Sequence, residues 1–146
     1  MSARRRLNGS LELIDVLGTR TRWRSAEIWA DEWLTEWSHQ QHGPASEFID
    51  EMTRTNQRGV IRMLALLAVR ASAVPEELAW VGAGPLEDLV SHDGHGATII
   101  DEVERVASRV PAFKAAVANV WVGERVEAGV RQRLVALGAR DVTRPN

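Results

Sequence analysis

The apolar positions of this chain recur with the period of an α-helix almost from end to end. Behind Ser25, a residue type suited to an N-cap, Trp29, Trp33 and Trp37 fall at i, i+4 and i+8, within roughly 80° of one another on a helix, flanked by Ala26, Ala30 and Leu34. A helix over 26–40 with that stripe is expected to be a pillar of the core, because three indoles bury a large area. Ser46 opens a second helix with Phe48, Ile49 and Met52 on its apolar side. From Asn56 to Ala71 the residues Val60, Ile61, Met63, Leu64, Leu66, Leu67 and Val69 surround nearly the whole circumference, as in a buried central helix.

The second half continues the pattern. Pro75 with Glu76 and Glu77 starts a short helical turn through Trp80. Gly84-Pro85 reads as another start, with a helix over about 85–92 that carries Glu87 and Asp88 in its first turn. Gly94 and Gly96 are expected to stop it and turn the chain. Residues 97–110 set Ile99, Ile100, Val103, Val106, Ala107 and Val110 against a charged face on which Asp101 and Arg105 form an i,i+4 pair. Two more helices follow, over 111–121 and up to Gly138. Near the N-terminus Ser10 is placed to cap a short helix, LELIDVL, closed by Gly18. No run alternates as a strand does, and no hairpin turn separates β-rich runs.

The expected fold is therefore all-α: a compact bundle, or a short α-solenoid-like array, of about seven or eight helices around a buried central helix at 59–71. Trp29, Trp33, Leu64, Leu67, Ile100, Val103 and Trp121 should be buried together. Residues 1–24 read as a basic arm with one short helix, 25–138 as a single helical domain and 139–146 as a tail.

Charge changes this picture more than composition does. The net charge of −2 hides segregation: residues 25–53 hold seven acids and residues 75–104 hold eight, and neither segment has a Lys or Arg. Six arginines lie in the first 24 residues. Should the two acidic segments share a face, that face attracts a basic protein partner; otherwise the blocks pair with each other inside the fold. The residues expected on such a surface are Asp31, Glu32, Glu36, Glu76, Glu77, Glu87 and Asp88.

Several classes of chemistry are excluded or weakened. Without cysteine there is no disulfide framework, thiolate zinc site or thiol nucleophile. The longest apolar-rich run, Val60 to Val69, contains Arg62 and is too short to span a bilayer. Glu12 and Asp15 interrupt any signal-peptide core behind the basic N-terminus, so a soluble cytoplasmic protein is expected. Arg20, Arg22 and Arg24 alternate around Trp23, a pattern that suits phosphate contact with base stacking, although the net acidic charge argues against nucleic acid. His39 and His42 stand at metal-ligand spacing on a helix, but Gly43-Pro44 breaks that geometry.

The stretch Ala83 to Gly96, AGPLEDLVSHDGHG, concentrates the remaining polar groups. Asp88 and His92 share a helix face at i, i+4, and Asp93 and His95 follow in the turn, enough oxygen and nitrogen donors for a divalent metal and a metal-assisted hydrolase. Neither HExxH nor a nucleophile motif accompanies them, and GAGPLE lacks the Lys-Ser/Thr of a phosphate loop.

The run GAGPLEDLVSHDG, followed by IIDEVERVASRVPAFKAAVANVW, resembles an uncharacterised family of bacterial domains with a GPLEDLL, glycine, IxxVE and FxxxLxxVW pattern. The matching positions lie within about residues 80–122: Gly84 to Leu89, Gly94, Ile100, Val103, Glu104, Phe113, Val117, Val120 and Trp121, with Val117 in place of the usual leucine. The resemblance implies an all-α bacterial domain and carries no activity. The sequence thus points first to a non-catalytic protein-binding module, such as an immunity, antitoxin-like or regulatory factor, with no cofactor. The alternatives are the metal-dependent enzyme centred on 87–95 and nucleic-acid binding through the N-terminal arginines.

Overall fold

The computed structural model describes residues 11–14, 20–23, 25–56, 59–92 and 95–143. Helix α1 (Ala26–Ser38) begins where the Ser25 hydroxyl accepts the Ile28 N–H at 3.1 Å. Its buried face carries Trp29 and Trp33, while Trp37 is only half-buried. The Trp29 indole N–H donates to the Ala45 carbonyl at 3.2 Å, so this fully buried side chain leaves no polar atom unpaired. Helix α2 (Pro44–Arg54) starts on a proline and buries Ala45, Phe48, Ile49, Met52 and Thr53.

Helix α3 (Val60–Ala71) is the central one, as its nearly continuous apolar circumference requires. It packs against α1 and against α7 (Pro111–Val117), with Ile61, Leu64, Leu67 and Ala68 inside. It starts at Val60 rather than near Asn56, because Asn56 (φ 50°) and Gly59 (φ 90°) both take left-handed backbone that a helix cannot continue through.

The chain then forms one rod. Helix α4 (Pro75–Val81) runs through a π-helical turn (Gly82–Leu86) directly into α5 (Glu87–Ser91). Pro85 therefore lies inside a helix and does not start one. Proline has no N–H to return to the preceding turn, and the wider π turn, in which the Glu87 N–H reaches back to the Gly82 carbonyl, carries the chain past the missing donor. Gly82 is fixed by packing: a Cβ there would sit 2.0 Å from the Ala116 carbonyl oxygen of α7.

Helix α6 (His95–Arg109) begins before residue 97, and Gly96 belongs to its first turn instead of a loop. A Cβ on Gly96 would lie 3.0 Å from Val130 Cγ1, so its bareness seats α8 (Ala128–Ala136) against α6. Asp101 pairs with Arg133 of α8 at 2.6 Å rather than making the expected bond to Arg105, and Arg133 also holds Glu104. Helix α8 ends in a Schellman arrangement: Gly138 has φ 116°, the Ala139 N–H bonds Leu134 O at 3.0 Å, and the Gly138 N–H bonds Val135 O at 2.9 Å.

Two short strand pairs complete the all-α body. Instead of the expected helix over LELIDVL, β1 (Leu11–Ile14) pairs antiparallel with β2 (Arg20–Trp23), Leu11 opposite Trp23. An isolated seven-residue helix pays its nucleation cost without tertiary support, whereas LELI finds a partner strand nearby. The Trp23 ring is buried edge-on against Phe48 at 6.0 Å, which removes it from any stacking role toward nucleic acid and anchors β2 to the core. Residues 1–10 and Arg24 lie outside the described residues.

The second pair, β3 (Trp121–Val122) and β4 (Arg140–Asp141), is parallel and flanks α8. The segment from 139 is thus not a trailing tail through Thr143. This pairing also overturns the expectation that Trp121 is buried. Strand alternation turns Val120 and Val122 inward and leaves Trp121 56% exposed, with the Arg140 guanidinium 5.3 Å from its ring centroid. The other expected core residues, Trp29, Trp33, Leu64, Leu67, Ile100 and Val103, are buried in one cluster. No helix among the described residues is long and apolar enough to cross a membrane.

A candidate binding groove

Helices α1 and α2 and the α4–α5 rod meet around an open groove. One end, of about 440 Å³, is lined by Trp33 and Trp37 of α1, by Trp80, Pro85 and Asp88 of the rod, and by Asp50 of α2. An adjoining recess of about 460 Å³ shares His42, Asp50 and Asp88 and adds Glu47, Glu51, Arg54 and His92. The two acidic segments of the sequence therefore do meet here, through Asp50 of the first and Asp88 of the second.

Each side chain is placed by a local feature. Trp80 projects from the last turns of α4 and is 49% exposed. Its indole rests against Gly84, where a Cβ would come within 3.5 Å of the ring nitrogen. Asp88 lies in the first turn of α5, just past the π turn, and α2 presents Asp50 to the same space. His42 Nε2 lies 3.3 Å from Asp50 Oδ2. Partial burial pushes the Asp50 carboxyl above its usual range; His42 opposes the shift, and the charges of Asp88 and Glu47 add to it. Burial raises Asp88 likewise, against the pull of His92. Both carboxylates are exposed at the groove surface, where their negative charge is open to a cation.

The other residues expected on the acidic surface are dispersed. Asp31 is exposed but engaged by Arg70 in a two-pronged ion pair, Nε to Oδ1 at 3.0 Å and Nη2 to Oδ2 at 2.5 Å. Glu32 is half-buried, and burial together with the neighbouring Glu36 raises its carboxyl. Glu36 is not a surface group. It is buried and caps the start of α2 from the preceding helix: Oε1 accepts the Gly43 and Ser46 N–H groups at 3.1 and 2.9 Å and the Ser46 hydroxyl at 2.6 Å, and Oε2 accepts the Ala45 N–H at 2.9 Å. Burial opposes ionisation here, but these bonds outweigh it and hold the carboxyl below its usual range. Glu76 and Glu77 sit in the first turn of α4. Glu87 turns away from Asp88 toward β3, where it accepts the Trp121 N–H at 2.8 Å, and burial raises its carboxyl despite that bond.

Of the metal set expected from sequence, Asp88, His92 and His95 are among the described residues. Asp93 lies outside the described residues. The His92 and His95 rings are 5.3 Å apart, and the buried Nδ1 of His95 has no hydrogen-bond partner among the described residues. Among the described residues, no group of three or more His, Asp or Glu side chains is arranged to hold a metal ion. His39 and His42 are also separated in role, since the His39 ring bonds the Thr35 carbonyl while His42 faces Asp50.

A family described as a family of unknown function, DUF6869, matches residues 20–142. The chain belongs to the DUF6869 family. The DUF6869 match contains the whole 80–122 stretch that carries the resemblance, and it reaches from β2 to the residue after β4. All three walls of the groove lie within that DUF6869 unit. No curated protein and no solved structure matches the chain.

Sequence reasoning pointed to Asp88 and His92 but missed Asp50, His42 and Trp80 as their neighbours. The signal available was weak: Asp50 lies near the end of an acid-only segment and Trp80 near the end of a short helix, but nothing local brings positions 50, 80 and 88 together.

Proposed function

We propose that this protein is a helical protein-binding module whose groove receives a basic segment of a partner protein. The observation that carries the reading is the juxtaposition of Trp37 and Trp80 with Asp50 and Asp88 in one open groove. The tryptophans offer apolar area next to fixed negative charge, the composition that an amphipathic cationic side chain fills. A cytoplasmic bacterial immunity, antitoxin-like or regulatory factor is the class of protein that this arrangement suits.

Titration of the full chain with short basic and acidic peptides of equal length tests the reading. The basic peptide should bind and the acidic one should not. Binding should weaken between low and high salt, because charges at an open groove are screened over about 8 Å at physiological ionic strength. Asp50→Asn together with Asp88→Asn should weaken it further without changing the melting temperature. Equal binding of both peptides, or indifference to salt and to the two substitutions, would refute the electrostatic basis.

A further inference from the structure

We infer that the groove selects an arginine side chain over lysine, a specificity that rests on the basic-partner reading above. Three features of the groove converge on a planar cation. First, Asp50 and Asp88 line the same space, so a ligand there meets carboxylates from two helices. A guanidinium presents several N–H donors in a fixed fork and bridges two such acceptors; an ammonium is a compact, strongly hydrated point charge.

Second, the half-open Trp80 indole and the half-buried Trp37 line the same groove. Guanidinium planes stack on indole rings and lose little hydration in doing so, whereas an ammonium gives up more of its hydration for the same contact. Trp80 keeps its place without help from the ligand because it already rests on Gly84 within its own rod.

Third, among the described residues the tryptophan end receives no Lys or Arg, and His42 is the basic side chain that lines it. Arg54 lines only the adjoining recess and is paired with Glu51 on its own helix. His42 contacts Asp50 from one side, and His92 faces Asp88. The tryptophans there thus have no guanidinium or ammonium of the described residues among the groove's lining.

The test compares tetra-arginine and tetra-lysine peptides of equal charge, titrated into the full chain and followed by calorimetry. The arginine peptide should bind about tenfold more tightly. Trp80→Leu, which keeps apolar area but removes the ring, should erase most of that advantage while leaving the lysine peptide nearly unchanged. Because Trp80 is so exposed, the variant should melt with the wild type; Asp88→Asn, which weakens both peptides, provides a second variant that does not touch the rings. Equal affinities for the two peptides, both weakened by Asp88→Asn, would overturn arginine selectivity and leave the acidic-groove reading standing. Failure of both peptides to bind would overturn both. Concentration-dependent self-association abolished by Trp80→Leu would show that a second copy of the chain fills the groove, and would also overturn the inference.

Discussion

Replacing Glu36 by alanine should destabilise the protein by about 2–4 kcal/mol, although a carboxylate in an acid-rich helix looks dispensable. The magnitude follows from its partners. Its two oxygens accept three backbone N–H groups at the start of α2 and the Ser46 hydroxyl, all between 2.6 and 3.1 Å. Pro44 brings no N–H of its own, so Glu36 satisfies the donors that open α2. Hydrogen bonds to a charged acceptor contribute about 1.5–3 kcal/mol each and are not additive, and losing a helix cap alone costs about 1 kcal/mol. Water can reach Gly43 and Ser46, which are only half-buried, and this keeps the total well below the simple sum.

The pH dependence has a definite sign. The folded carboxyl lies below its ordinary value of 4.5, so its contribution is fully present above that value and is lost as pH falls through the folded pKa. Urea denaturation of wild type and Glu36→Ala at pH 7 and at pH 3 should show the gap narrowing in acid. Gly43→Ala supplies an independent check. Its Cβ would fall 2.7 Å from Glu36 Oε2, so the substitution should destabilise the wild type yet cost little in the Glu36→Ala background. A Glu36→Ala protein within about 0.5 kcal/mol of wild type at pH 7, the range of ordinary surface changes, would refute the capping role.

Leu67→Ala, at the centre of α3 and fully buried, should lower stability by about 2–5 kcal/mol in the same denaturant assay. Gly82→Ala drives a methyl into the α7 backbone at Ala116 O, where neither partner is a flexible side-chain end, and should cost about 1–3 kcal/mol or more, read as a fall in melting temperature. Trp29→Ala should cost about 3–5 kcal/mol, whereas Trp121→Ala, on the exposed face of β3, should leave the melting curve nearly unmoved.

The helices were legible because their cause is local. The tryptophan stripe of α1 and the all-round apolar surface of α3 follow from residues three and four apart, and the structure buries Trp29, Trp33, Leu64 and Leu67 as that spacing requires. The errors fall where a partner beyond the helical repeat decides. Leu11–Ile14 pairs with Arg20–Trp23 across a connection whose return the local pattern did not announce, and Trp121 is set by a partner strand at Arg140, reached only after α8. Pro85 looked like a helix start because the sequence shows the missing N–H but not the π turn that accommodates it. The candidate site divides the same way. Composition alone marked the two acidic segments, but only packing sorts their carboxylates. It commits Glu36 to the amides of α2, Asp31 to Arg70 and Glu87 to Trp121, and it brings Asp50 and Asp88 to one groove beside Trp80. Helical periodicity is encoded over a few residues, whereas the use of a polar side chain depends on which backbone or charge the tertiary fold sets opposite it.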